Sequence, residues 1–184
     1  IDYLTINDQM PSAVVMSVES EQEYRYHETL FQASREEGLA LENEQFIFNE
    51  LIPLAEQKYH ASDFRLLVGH SRYGYFTSAL FCSKINALNA IISISPVFIQ
   101  KNVDLTDSIL NLQQLQLNST KYYRFGIGND YPDDFYKMDS AIQHFHHPLI
   151  DVKGFLFKEA AHNVTPGLTI GTSLYEIFEE WSRI

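Results

Sequence analysis

A single cysteine, Cys82, stands in the 184 residues, so no intrachain disulfide can staple the chain. No apolar run approaches the ~18 residues that a bilayer-spanning helix needs. Basic residues are scarce: 13 Lys and Arg face 24 Asp and Glu, for a formal net charge of -11 and a sequence pI near 4.9. That balance works against a grip on phosphate backbones or anionic lipid, which excludes nucleic acid and membrane surfaces as expected partners. Internal repeats, low-complexity tracts and linker-like stretches are missing as well. The chain opens at Ile1, has its first Met at position 10, and shows no basic-then-apolar signal pattern. It is therefore expected to begin inside a longer protein, to be soluble, and to leave open a cytoplasmic, periplasmic or secreted location.

What is present is apolar material: 45% of residues are hydrophobic and 14% aromatic, enough for one sizeable core. Residues 1–184 are accordingly expected to form a single domain. Short β-rich apolar runs alternate with segments of helical period, the signature of βαβ units and a mostly parallel sheet flanked by helices on both faces. Strands are predicted at 12–18, 64–68, 90–95, 122–128 and 154–158. Ile47, Leu51, Leu54 and Ala55 mark an amphipathic helix over 43–59, with a bend expected at Pro53. Residues 73–82 are apolar nearly all round, as in a helix buried under its own sheet, and Gly74, Ser78 and Cys82 form a small-residue stripe that permits close packing. Phe135, Met138, Ile142 and Phe145 mark another helix. Leu174, Ile177, Phe178 and Trp181 mark the last, with Ser173 and Glu176 as its predicted capping box. The polar run 19–43 is expected to include an irregular surface loop, of the kind that often borders active sites.

The strongest local signal is Leu66-Leu67-Val68-Gly69-His70-Ser71-Arg72-Tyr73-Gly74, an apolar strand running into a sharp turn and then a buried helix. A nucleophile elbow needs small residues around its serine, because the tight, strained turn lifts Oγ clear of the sheet's carboxyl edge. Gly69 lies two before Ser71. Tyr73 lies two after, with Gly74 one step later, so the pattern is G-x-S-x-x-G rather than G-x-S-x-G. The competing explanation is an ordinary β-to-α turn. Against it stands the rest of the chain, where an acid and then a His should follow, each on a loop after a later strand.

Both loops exist. The strand 122–128 runs into Asn129-Asp130-Tyr131-Pro132-Asp133-Asp134, just beyond the carboxyl end where sites in open α/β sheets lie. Asp130 is the expected acid; Asp133 and Asp134 are alternatives, although capping and first-turn charge at the next helix account for those two. The last strand ends in Phe157-Lys158-Glu159-Ala160-Ala161-His162, an isolated His flanked by small residues. His162 is the expected general base. Of the other His, His27, His60 and His70 come before or beside the serine, and His144, His146 and His147 cluster at a helix end. No carboxylate or Cys stands at a spacing that would complete a metal site there, so no metal is expected. The resulting chemistry is acyl transfer on a small-molecule ester, with no cofactor. The backbone N–H of Arg72 is the expected oxyanion donor, aided by the helix it begins. A second donor comes in this arrangement from a loop after an earlier strand, which does not stand out in the chain. The Arg72 guanidinium is better read as a surface ion pair than as a substrate clamp. Tyr122, Tyr123, Tyr131 and Tyr136 could line an acyl pocket, though ordinary packing accounts for most such aromatics.

Phe48-Asn49-Glu50-Leu51-Ile52-Pro53 with Tyr59, Gly69-His70-Ser71, Ile92-Ser93-Ile94-Ser95-Pro96 and the placement of His162 together resemble a family of α/β-hydrolase esterases. That family includes esterase D-type S-formylglutathione hydrolases, siderophore esterases and mycolyltransferases. The resemblance spans most of residues 12–181. It implies an α/β-hydrolase fold lacking its N-terminal strands, with the chain as the C-terminal portion of the catalytic domain. It also implies a serine esterase acting on a carboxylic ester or thioester, with acyl transfer to an alcohol or an inactive binding module as the other functions this fold carries.

Overall fold

The computed structural model describes residues 1–7, 9–18, 39–96, 99–100 and 103–181. They fall into two compact units, residues 12–63 and residues 1–11 with 64–184. The helices are α1 (Asp2–Ile6), α2 (Leu39–Phe46), α3 (Ile52–Tyr59), α4 (Arg72–Lys84), α5 (Leu105–Asn111), α6 (Pro132–Ile142) and α7 (Thr165–Trp181). The strands are β1 (Leu66–His70), β2 (Ala90–Ile94), β3 (Ile99–Gln100), β4 (Val103–Asp104), β5 (Lys121–Ile127) and β6 (Ile150–Leu156).

In the 12–63 unit, α2 and α3 are joined by a π-helical turn, Ile47–Leu51. Pro53 is the cause: it has no N–H, so the regular ladder cannot continue through it, and the Ile52 N–H reaches back five residues to the Ile47 carbonyl. The expected bend is thus realised as a widened turn. Residues 12–18 correct the sequence-based expectation, since they form no strand. β-Branched content suits a strand, but a strand exists only on a ladder partner, and these residues pair with none among the described residues. Of the polar run 19–43, residues 19–38 lie outside the described residues and 39–43 open α2.

The larger unit is built on a four-stranded, all-parallel sheet in the order β1-β2-β5-β6. The central strands β2 and β5 are buried along their whole length, as strands covered on both faces must be. Alternation splits their side chains between two layers. Ala90, Ile92, Ile94 and Tyr122 face α7, where they pack with Leu174, Ile177, Phe178 and Met10. Ser93, Tyr123 and Phe125 face the other way, toward α4 and α6. Each fully buried Ile or Leu contributes about 1.5–3 kcal/mol relative to exposure. Helices α4 to α6 form one layer and α7 the other.

The starts of β6 and α7 depart from expectation for identifiable reasons. Strand β6 begins at Ile150 rather than at 154. Gly154 reads as a strand start, yet it lies mid-ladder opposite Phe125, whose ring would be 2.2 Å from any Cβ placed there. Helix α7 begins at Thr165, so Ser173 is a buried mid-helix residue and not a cap. Pro166 is tolerated because the first helical turn has no partner for its N–H.

On the α7 side of β5, Arg124 is completely buried. Its guanidinium pairs with the Asp151 carboxylate, donates to the Asp151 carbonyl at 3.0 Å, and lies 3.7 Å from Glu176, which Lys153 also holds at 2.7 Å. A buried charge is tolerable only with such partners, and its aliphatic stem packs as well. Arg124→Ala is expected to lower unfolding free energy by about 3 kcal/mol, and Arg124→Met by clearly less, because Met refills the volume without a charge to compensate. Urea denaturation of the two variants checks this; equal losses would mean that volume and charge do not matter separately.

Candidate active site

Because the four strands are parallel and in register, their carboxyl ends share one rim: His70, Ile94, Ile127 and Leu156. The segments leaving that rim carry every residue that the sequence pattern singled out for catalysis.

Ser71 is the junction of β1 and α4. Its φ of 59° and ψ of -116° put a non-glycine residue in a strained region. Its N–H extends the ladder to the Ile94 carbonyl at 2.7 Å, and its carbonyl accepts from Tyr75 N–H at 3.1 Å, so the chain turns from strand to helix within one residue. The hydroxyl makes no capping bond to α4, although Ser at that position ordinarily caps.

The turn can be that tight because of two glycines. A Cβ on Gly69 would stand 2.1 Å from the Tyr73 carbonyl oxygen, and one on Gly74 2.8 Å from the Ile94 carbonyl oxygen. The departure at Tyr73 is accommodated: its ring is half-buried and meets Phe76 edge-on, while the close approach to β2 falls to Gly74. The Gly74 carbonyl is held by Ser93 Oγ at 2.7 Å, Ser78 Oγ at 2.8 Å and Thr77 Oγ1 at 3.1 Å. The Tyr123 hydroxyl adds a bond to Ser78 at 2.9 Å. Burial pushes the Tyr123 hydroxyl far above its ordinary value, so it stays protonated. Gly69→Ala is expected to cost about 3 kcal/mol, since the Cβ meets backbone rather than a flexible side chain. A melting temperature unchanged from wild type would contradict that account of the turn.

After β5, Gly128-Asn129 leads to Asp130, whose carboxylate bonds His162 Nδ1. The two loops are laced together, because Asn129 N–H donates to the Ala160 carbonyl at 2.9 Å and Phe157 N–H to the Ile127 carbonyl at 2.9 Å. The Asp130 side chain is 17% exposed and that of His162 40%, so the pair is anchored inside and open on the imidazole side. Tyr131 meets the His162 ring edge-on. Asp133 and Asp134 lie in the first turn of α6, as charge at a helix N-terminus, and no side chain caps that helix.

His70, the residue before the serine, also reaches this pair: its Nε2 lies 3.1 Å from the His162 carbonyl oxygen, and the two imidazole centroids are 4.4 Å apart. Nothing local in the sequence signals this contact, which joins residues 92 positions apart. Ser95, at the end of β2, has φ of 42° and a fully buried side chain, and its N–H bonds the Gly126 carbonyl at 2.7 Å. Arg72 is the first residue of α4. Tyr122 and Tyr123 are core residues, whereas Tyr131 and Tyr136 are exposed. At the other end of the sheet, His147 bonds the Leu115 carbonyl and the Leu149 N–H and, with His146, lines a depression of 440 Å³ remote from the rim, while His144 bonds the Ser140 carbonyl.

No known family profile matches the sequence, and no curated protein is significantly similar to it. Solved structures are similar. An IroE-like serine hydrolase from Shewanella oneidensis superposes with a TM-score of 0.69 at 13% identity, covering 95% of this chain and 57% of that one. The siderophore hydrolase EstB from Aspergillus nidulans gives 0.60 at 11% identity, with 79% and 62% covered. The chain has the α/β-hydrolase fold. An uncharacterised protein from Capnocytophaga ochracea superposes with a TM-score of 0.74 at 16% identity, covering 96% of this chain and 50% of that one. The chain thus spans half to somewhat under two thirds of the length of these three structures.

Proposed function

We propose that the chain is the catalytic part of a serine esterase that cleaves a carboxylic ester or thioester through an acyl-enzyme on Ser71. The observation that carries this reading is the His162–Asp130 bond at the same rim as the strained, uncapped Ser71. In the reaction, Ser71 Oγ attacks the ester carbonyl carbon while His162 Nε2 takes its proton. Asp130, bonded to Nδ1, holds the tautomer and balances the imidazolium. The tetrahedral oxyanion is met by the Arg72 N–H at the start of α4, where the helix's positive end also favours negative charge. His162 then protonates the leaving alkoxide or thiolate, which departs, and a water deprotonated by the same imidazole cleaves the acyl-enzyme. The names of the similar structures, a serine hydrolase and a siderophore hydrolase, support ester chemistry for this fold.

Rapid mixing with p-nitrophenyl acyl esters tests the proposal. An initial release of nitrophenol close to one equivalent per chain, followed by slower turnover, is the expected result, because acylation by an activated ester outruns deacylation. A folded protein that gives neither release nor turnover across short and long acyl chains would instead be a binding module.

A further inference from the structure

Among the described residues, four bonds tie the loop that carries His162 to β1, β5 and the segment after β5. Asn129–Ala160, Ile127–Phe157 and Asp130–His162 attach it to β5 and the segment after β5. The fourth, His70 Nε2 to the His162 carbonyl, attaches it to β1. This division has a mechanical consequence. The first three fix the base relative to its acid and to β5, which is joined to β1 only through the ladder of β2. Residue 70 is covalently joined to the nucleophile, and its strand is clamped to β2 over its whole length.

We propose that His70 is a positioning residue, whose Nε2–H bond to the His162 carbonyl and ring contact with the His162 imidazole set the reach between general base and nucleophile. The inference rests on the reading of Ser71 and His162 as nucleophile and base. A carbonyl oxygen can only accept, so the bond requires the Nε2–H form of His70. Burial, and then the neighbouring His162, push the His70 imidazole below its ordinary value, while the His162 carbonyl and Asp130 act the other way. The net direction keeps His70 neutral near pH 7, so it presents no second cation against the imidazolium formed at His162. A neutral donor with a flat face suits the place, and a lysine or arginine would not.

The effect should fall on the chemical step and not on substrate capture, because His70 bonds main chain rather than substrate. The test is the kinetics of inactivation by a fluorophosphonate, with the rate constant and the apparent affinity measured separately. His70→Ala is expected to slow inactivation by about 10- to 100-fold, the order that a misplacement near 1 Å produces, with apparent affinity held within about 3-fold. His70→Gln keeps an N–H able to reach the carbonyl and is expected to recover most of the rate. Should the Ala variant not fold, Met replaces it, since Met fills the space and cannot donate. Long-range ¹H–¹⁵N correlation spectra of the wild type should show His70 as the neutral Nε2–H form near pH 7. Wild type that is folded but unlabelled would overturn the esterase reading and this inference together. Wild type that labels at the same rate as His70→Ala, or Gln and Met variants equally impaired, would overturn the role of His70 alone.

Discussion

Replacing Ser71 with Ala is expected to lower kcat/KM for an activated ester by roughly 10⁵-fold while leaving the protein folded. The size of the loss follows from the chemistry: without Oγ there is no acyl-enzyme, and what remains is the modest catalysis of oxyanion binding and substrate positioning. The preserved fold follows from the structure. The Ser71 hydroxyl makes no cap bond to α4, the residue's backbone bonds to Ile94 and Tyr75 do not involve the side chain, and Ala suffers at φ 59° much as Ser does. Steady-state kinetics with circular dichroism on the same samples separates the two claims. Activity retained within about tenfold would remove Ser71 from the mechanism, since no triad serine is dispensable to that degree.

Asp130→Asn is expected to lower kcat by about 10³- to 10⁴-fold at nearly unchanged volume. The carboxylate accepts a bond from His162 Nδ1. An amide that turns its NH₂ toward that nitrogen selects the opposite tautomer, which puts the proton on the nitrogen that has to receive one from Ser71. Asp133→Asn and Asp134→Asn serve as internal comparisons, because both residues sit in the first turn of α6. Their loss removes helix-terminal charge worth about 0.3–1 kcal/mol of stability and should leave kcat near wild type. If either of these costs more activity than Asp130→Asn, the acid has been misassigned.

Local geometry written in contiguous residues was legible in the sequence. Gly69-His70-Ser71 with its apolar strand predicted a turn whose glycines are required by backbone contacts at 2.1 Å and 2.8 Å, and Gly74 took the approach that a strict motif gives to its neighbour. The loops bearing Asp130 and His162 were legible because parallel strands force their following segments to one rim. What escaped was set by long-range packing. Gly154 looks like a breaker until Phe125 fills the space across the ladder. Pro166, Gly167 and Gly171 hide the first half of α7, because a first-turn proline and two exposed glycines cost a helix little when its other face is buried. Residues 12–18 carry strand-like composition with no partner among the described residues, and composition alone cannot supply one. The His70–His162 contact spans 92 positions and has no local signature.

In the proposed mechanism, one serine hydroxyl at the end of β1 is made nucleophilic by the imidazole of His162. The most direct test of this is to react the folded protein with a fluorophosphonate, digest it and locate the adduct by mass spectrometry. One adduct per chain on Ser71, absent from Ser71→Ala and sharply reduced in His162→Ala, is the predicted result. An adduct on another residue, or labelling of Ser71 that proceeds equally well without His162, would contradict it.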